Sequence, residues 1–195
     1  NIITKDVPDT DVSLRVQGGS YNQFNADVTA GINLDESSHI IHYSKNTSEG
    51  YRFNTDFDNQ NFVLKSTFNK KDLPIAMLIS LSDRNFGANG FYASPAAVNQ
   101  YEETMASLIG FSTVIKKGNF TWKPRVYWRR NEDEYVFVRN NPSIYRNLHI
   151  SNKIAAELNG SYTSNIGITG FGIEAAKVYL SSNNLGDNNR FVSTL

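Results

Sequence analysis

QFNADVTAGINL, residues 23–34, decides how this chain is read. Phe24, Ala26, Val28, Ala30, Ile32 and Leu34 are apolar, while Asn25, Asp27, Thr29, Gly31 and Asn33 between them are small or polar. A period of two is the signature of a β-strand, whose successive side chains point to opposite faces. On a helix, residues two apart are turned by about 200°, which would smear this apolar set around the cylinder. The stretch is also long for a globular strand, since about eleven residues at 3.3 Å each reach roughly 36 Å. Inclined by about 45°, that length crosses the roughly 25 Å apolar band of an outer-membrane barrel.

Working outward, the alternation recurs. Val12, Leu14 and Val16 alternate with Ser13, Arg15 and Gln17 ahead of an expected Gly18-Gly19-Ser20 turn, and Asp35-Glu36-Ser37-Ser38 leads into a strand from His39. Further strands are expected over 61–69, 75–81, 101–115, 120–129, 150–162 and 166–176, with a last one from 191, about ten in all. Polar, aromatic-dotted connectors at 45–59, 84–100, 130–147 and 181–189 alternate with tight turns between them. Short and long connectors in alternation are what an up-and-down barrel with short periplasmic turns and long extracellular loops produces. Parity then puts NIITK, residues 1–5, on the short-turn side. The expected fold is all-β, part of an antiparallel up-and-down transmembrane β-barrel.

Composition bounds the alternatives. With 19 basic and 19 acidic residues in 195, no net field points to nucleic acid or another polyanion. There is no cysteine, and no apolar run approaches the 18 or so residues of a membrane helix, which excludes a helical membrane protein but not a barrel. The chain begins without methionine or a signal peptide and stops inside an expected strand, so it reads as a piece of a longer protein. A soluble β-sandwich module is the other all-β reading, and it would need a second buried face and shorter strands.

The residues that carry chemistry point to binding, not catalysis. No serine, histidine and acid, and no cysteine nucleophile, form a catalytic set, so an enzyme is not expected. His39 and His42 are three apart and point to opposite faces of a strand, and His149 stands alone. Glu132, Asp133 and Glu134 read as solvated loop charge. Asp56-Phe57-Asp58-Asn59-Gln60 spaces oxygens two apart but lacks the glycine and distal glutamate of an EF-hand loop. The candidates for ligand contact are the aromatic and cationic residues of the long connectors: Tyr51, Arg52, Phe53, Phe91, Tyr92, Tyr101, Tyr135, Arg139 and Tyr145. They combine contact area with hydrogen-bonding ends, and the alternative is that they pack loop on loop or form an aromatic girdle. In the strand from Phe120, Trp122 and Trp128 are assigned to lipid, while Lys123, Arg125 and Arg129 make an electropositive lumen face that suits an anionic ligand or the acids of an internal domain.

NIITK together with FGANGFYASPAAVNQYEET (86–104), YWRRNEDEY (127–135) and SSNNLGD near the end resembles the TonB-dependent receptors of Gram-negative outer membranes, in particular a Bacteroidetes-type branch similar to cobalamin receptors. The resemblance implies a barrel of about 22 strands occluded by an N-terminal plug. Residues 1–5 would then be the end of the plug, 6–11 a connector and 12–195 the first part of the barrel. It implies a place in the outer membrane and uptake of a scarce nutrient, cobalamin-like or a ferric siderophore, driven by a TonB complex that contacts a region upstream. No resident cofactor is expected, and calcium ordering the loops is implied by resemblance only. A non-transporting, surface-binding or adhesive barrel is the alternative function.

Overall fold

In a computed structural model of the chain, residues 11–70, 73–92 and 94–195 are described. They form one antiparallel sheet of eleven strands with no helix among the described residues: β1 (Asp11–Gly19), β2 (Gln23–Leu34), β3 (Ser37–Ser48), β4 (Phe57–Lys70), β5 (Leu73–Gly87), β6 (Tyr101–Thr113), β7 (Ile115–Lys117), β8 (Phe120–Val136), β9 (Arg146–Ser164), β10 (Gly167–Ser182) and β11 (Asn188–Thr194). Strands consecutive along the path pair with one another, with β6 pairing β8, giving the order β1-β2-β3-β4-β5-β6-β8-β9-β10-β11, and β7 pairs β8 beside it. The sheet is open, with β1 and β11 at its edges, as in part of an up-and-down barrel. No second layer covers either face among the described residues, so the sandwich reading finds no partner sheet. Among the described residues, Ala88, Val136, Ala155 and Ala176 are the buried apolar ones.

β7 is the end of β6, cut off at Val114. Both segments pair with β8 in one continuous register, from Ser112–Arg125 to Ile115–Trp122. Extending the registers puts Val114 opposite Pro74 on β5 and Thr113 opposite Pro124 on β8. Proline has no N–H to give the ladder, so pairing lapses where a proline stands on either side.

Register also places every apolar series on one face. Val28 pairs with Tyr43, Tyr43 with Phe62, Phe62 with Leu81; further on, Ile109 pairs with Trp128, Trp128 with Ile154, and Leu158 with Ile173. The opposite face collects Asp27, Ser44, Asn61 and Ser82 in one register row, with Asn61 and Ser82 hydrogen-bonded at 2.8 Å. A one-residue slip at any ladder would have exchanged the two faces.

The short turns are staggered in step. Ser37 pairs with Phe68, two residues short of the strand end at Lys70. The register line through Leu73 reaches Ile115, two short of Lys117, and Phe120 pairs with Tyr162, two short of Ser164. Two residues per pair of strands is one residue, about 3.3 Å, for each strand spacing of about 4.8 Å. The strands therefore incline by about 35°, within the range of membrane barrels.

Several boundaries differ from the sequence reading. The strands run further toward the long-loop end than expected, because their outer face there stays extended while changing from apolar to charged. The connectors shrink to 49–56, 88–100, 137–145 and 183–187. Glu132, Asp133 and Glu134 thus lie in β8, not in a loop, and alternate between its faces. The first hairpin turns at Ser20-Tyr21-Asn22, with Tyr21 and Asn22 at positive φ, and leaves Gly18 and Gly19 paired in β1. Asp11 already belongs to β1, one residue before the expected barrel start. The expected plug segment 1–5 and residues 6–10 lie outside the described residues.

Candidate functional site

The long-loop ends of β3 to β9 carry the largest group of sequence candidates, and Asn54 is where three loops meet. Its backbone adopts φ 53°, a left-handed conformation that asparagine tolerates better than most residues. From there its side-chain amide donates to the carbonyls of Val98 at 2.9 Å and Gln100 at 2.6 Å, while its own carbonyl accepts from the Asn89 N–H at 3.2 Å. Gly87 must be glycine for this contact, because a Cβ there would lie 2.5 Å from the Asn54 carbonyl oxygen. The Asn89 side chain donates to the Phe53 carbonyl at 2.6 Å, tying loop 88–100 to loop 49–56 a second time.

Arg139 brings in the third loop. Its guanidinium donates to Asp56 at 2.7 Å and to the Asn54 side chain at 3.2 Å, and lies 4.1 Å over the Tyr101 ring. Its backbone N–H donates to the Asn99 carbonyl. The bond to Asp56 raises the guanidinium still further above its ordinary value, so the charge is permanent and already matched. Arg139 is therefore a latch in this structure, with its donors turned to protein.

Gln100 is the one large side chain that is fully buried among the described residues. It accepts from the Tyr92 N–H at 3.1 Å and donates to the Tyr135 hydroxyl at 2.7 Å. Around it the rings of Phe91, Tyr92, Tyr135 and Tyr145 follow one another edge to face, with centroid separations of 4.7, 5.4 and 6.3 Å. Such edge-on pairs fix ring orientation as well as burying area. Burial pushes the Tyr92 phenol well above its usual range, helped by a hydrogen bond to Glu102 and the charges of Glu102 and Asp133.

A cleft of about 370 Å³ opens beside this cluster, lined by Arg52, Thr55, Phe86, Asn89, Phe91 and Tyr92 among others. Arg52 sits 5.3 Å over the Tyr51 ring, and Tyr51 also meets Tyr21 edge to face. Tyr51, Phe53 and Phe91 are exposed at the loop tips. Seven candidates, Tyr51, Arg52, Phe53, Phe91, Tyr92, Arg139 and Tyr145, thus lie on the three interlocked loops. Tyr101 and Tyr135 sit on the strands just beneath them, at the first residue of β6 and near the end of β8. Arg129 is elsewhere, in mid-strand on the polar face of β8.

Asn54, Asn89 and Gln100, which hold the site together, were not among the candidates. In a chain with 24 asparagines an amide gives no local signal, and only the fold shows which ones bridge loops. The calcium candidates Asp56 and Asp58 are each engaged, Asp56 by Arg139 and Asp58 by Lys45 at 3.1 Å. His39 and His42 do stand on opposite faces, bonded to Ser66 and Thr29 respectively. No family model matches the chain, and neither the curated proteins nor the solved structures include a significant match.

Proposed function

We propose that this chain forms part of an outer-membrane receptor barrel that binds a small nutrient at its latched loops and takes it up with TonB-derived energy. One observation carries the membrane assignment: on most strands the apolar face reaches a similar height measured from the short turns. On β3, β4, β5, β8, β9 and β10 the first charged or amide side chain above the apolar series of that face is Lys45, Gln60, Asp83, Arg130, Asn152 and Lys177 respectively, between the ninth and thirteenth residue from the turn, and on β6 continued through β7 it is Glu103, the fifteenth. Below that line lie about nine residues, roughly 30 Å along the strand, which an inclination of about 35° brings to about 24 Å. The apolar band of a membrane barrel is about 25 Å tall.

The borders of the belt have the matching chemistry. Near the short turns, Phe120, Trp122, Tyr162 and Phe171 form an aromatic cluster in which the Phe171 ring covers Gly160. At the upper edge the Trp128 indole donates to Asn152 and the Tyr43 hydroxyl to Gln60. An aromatic body below a hydrogen-bonded polar tip is the arrangement of an interfacial girdle. Above it the same face turns to ion pairs, Lys45–Asp58, Arg130–Glu132 and the bidentate Arg146–Glu134. The deepest polar exceptions, Ser66 and Thr113, are hydrogen-bonded to His39 and to the Pro74 carbonyl, as the absence of water in a bilayer requires.

A cleft of a few hundred Å³ between cross-linked loops favours a small ligand over a broad protein surface. The reading is tested with the full-length protein in a receptor-deletion strain, by uptake of labelled cyanocobalamin and of a ferric siderophore with and without TonB. TonB-dependent accumulation of either supports the proposal. Surface binding of a protein or glycan without uptake of any small solute would instead support the adhesive barrel.

A further inference from the structure

The polar face of the sheet holds a bay of about 570 Å³ at belt height, remote from the loops. Its floor is made of small or apolar residues, including Leu108, Gly110 and Ser112 of β6, and Arg125 and Arg129 of β8 stand on its rim together with Lys65 and Glu157. Glu157 is already taken by Arg125 at 3.2 Å. Arg129 is placed directly opposite Lys153 in the β8–β9 register, a like-charge pair that disfavours the sheet unless something neutralises it. Lys153 finds Glu174 at 2.6 Å, and Arg129 has no carboxylate partner among the described residues. Lys123 and Arg125 lie on the same strand face, separated from Arg129 by Tyr127.

We propose that this bay is an anion site on the inner wall, which takes a small solute bearing phosphate or carboxylate groups, with Arg129 as its principal contact. The inference rests on reading this face as a barrel lumen. A guanidinium presents paired N–H donors that match the oxygens of phosphate or carboxylate, and Arg125, about 13 Å along the same strand face, can meet a second anionic group of a longer solute. The small residues of the floor leave the volume that such a solute needs. The site differs from the loop mouth, whose Arg139 is spent on Asp56 and whose loop 88–100 contains no charged residue.

The test is calorimetric titration of inorganic pyrophosphate into the full-length protein in detergent, after assembly has been verified by heat-modifiable electrophoretic mobility. Saturable binding is expected, weakened at least tenfold by Arg129→Gln, abolished by Arg129→Glu, and unaffected by Arg84→Gln, which lies on the same face of β5 nearer the loops. Raising the salt from 0.05 to 0.5 M should also weaken it, as contacts between exposed charges are screened. Assembled protein that binds no pyrophosphate, or binding that survives Arg129→Glu, overturns the inference while leaving the barrel intact. Failure of the unaltered protein to assemble overturns the barrel reading and the inference with it.

Discussion

Met77→Arg probes the belt most directly. Met77 is the fifth residue of β5 counted from the short-turn end, on the apolar face, with Leu81 the ninth residue and Asp83 the eleventh on that same face. With a rise of about 3.3 Å and an inclination of about 35°, Met77 stands about 13 Å above the turns, the middle of the belt, and Leu81 about 24 Å, its edge. An arginine on the lipid face costs about 2–4 kcal/mol at the midplane and about 0–1 near the interface. Met77→Arg should thus lower the folding equilibrium by about 30- to 900-fold, whereas Leu81→Arg should change it by less than about sixfold. Ser80→Arg, which turns inward, should cost little. The assay is urea unfolding of the full-length protein in phospholipid vesicles, followed by heat-modifiable mobility. Equal losses for Met77→Arg and Ser80→Arg would refute the assignment of faces, and equal losses for Met77→Arg and Leu81→Arg would refute the height of the belt.

Removing the latch with Arg139→Ala should speed amide exchange in 88–100 and 137–145 without altering assembly, since a half-exposed ion pair and one ring contact are together worth about 1–2 kcal/mol. Unchanged protection in both loops would contradict the latch. Gln100→Leu leaves the Tyr92 N–H and the Tyr135 hydroxyl without their partner, a local cost of about 1–3 kcal/mol, and should make loop 88–100 the first site of limited proteolysis. Tyr92 titrates above its usual value of 10 because its neutral phenol is favoured in the folded state. Its stabilising contribution is therefore complete below pH 10 and is lost as pH rises through the folded value. In an ultraviolet alkaline titration, Tyr92→Phe should remove a late-ionising phenol, and loss of an early one would count against its burial beside Glu102.

Alternation is a local property, and it was legible wherever one face is apolar: residues 23–34 could be assigned to a strand, and their two faces separated, without any neighbour. The order of short and long connectors similarly revealed the up-and-down path. The strand ends were misread for the same reason. Above the belt Lys45, Asp58, Arg130, Glu132, Glu134 and Arg146 make both faces polar, so the period-two signal vanishes although the ladder continues. Ladder hydrogen bonds are made by backbone, which carries no hydrophobicity pattern. Candidate rings and cations of the mouth were recognisable by type, but not the amides that join them.

Residue order alone determined that the chain is β throughout, which side chains share a face, and that the turns lie at one end and the loops at the other. These follow from backbone geometry and turn chemistry over a few residues. The inclination of the strands, the height of the apolar face on each strand and the joining of three loops at Asn54 and Arg139 were settled only by tertiary structure. Each depends on register between strands or on contacts between residues as much as 85 positions apart, as for Asn54 and Arg139. No local pattern encodes such a distance. The stretch 23–34 shows the division: its sequence announces a strand with one apolar face, while its pairing with β3 shows that Phe24 and Ala26 stand level with Thr47 and Lys45, at the upper margin of the belt.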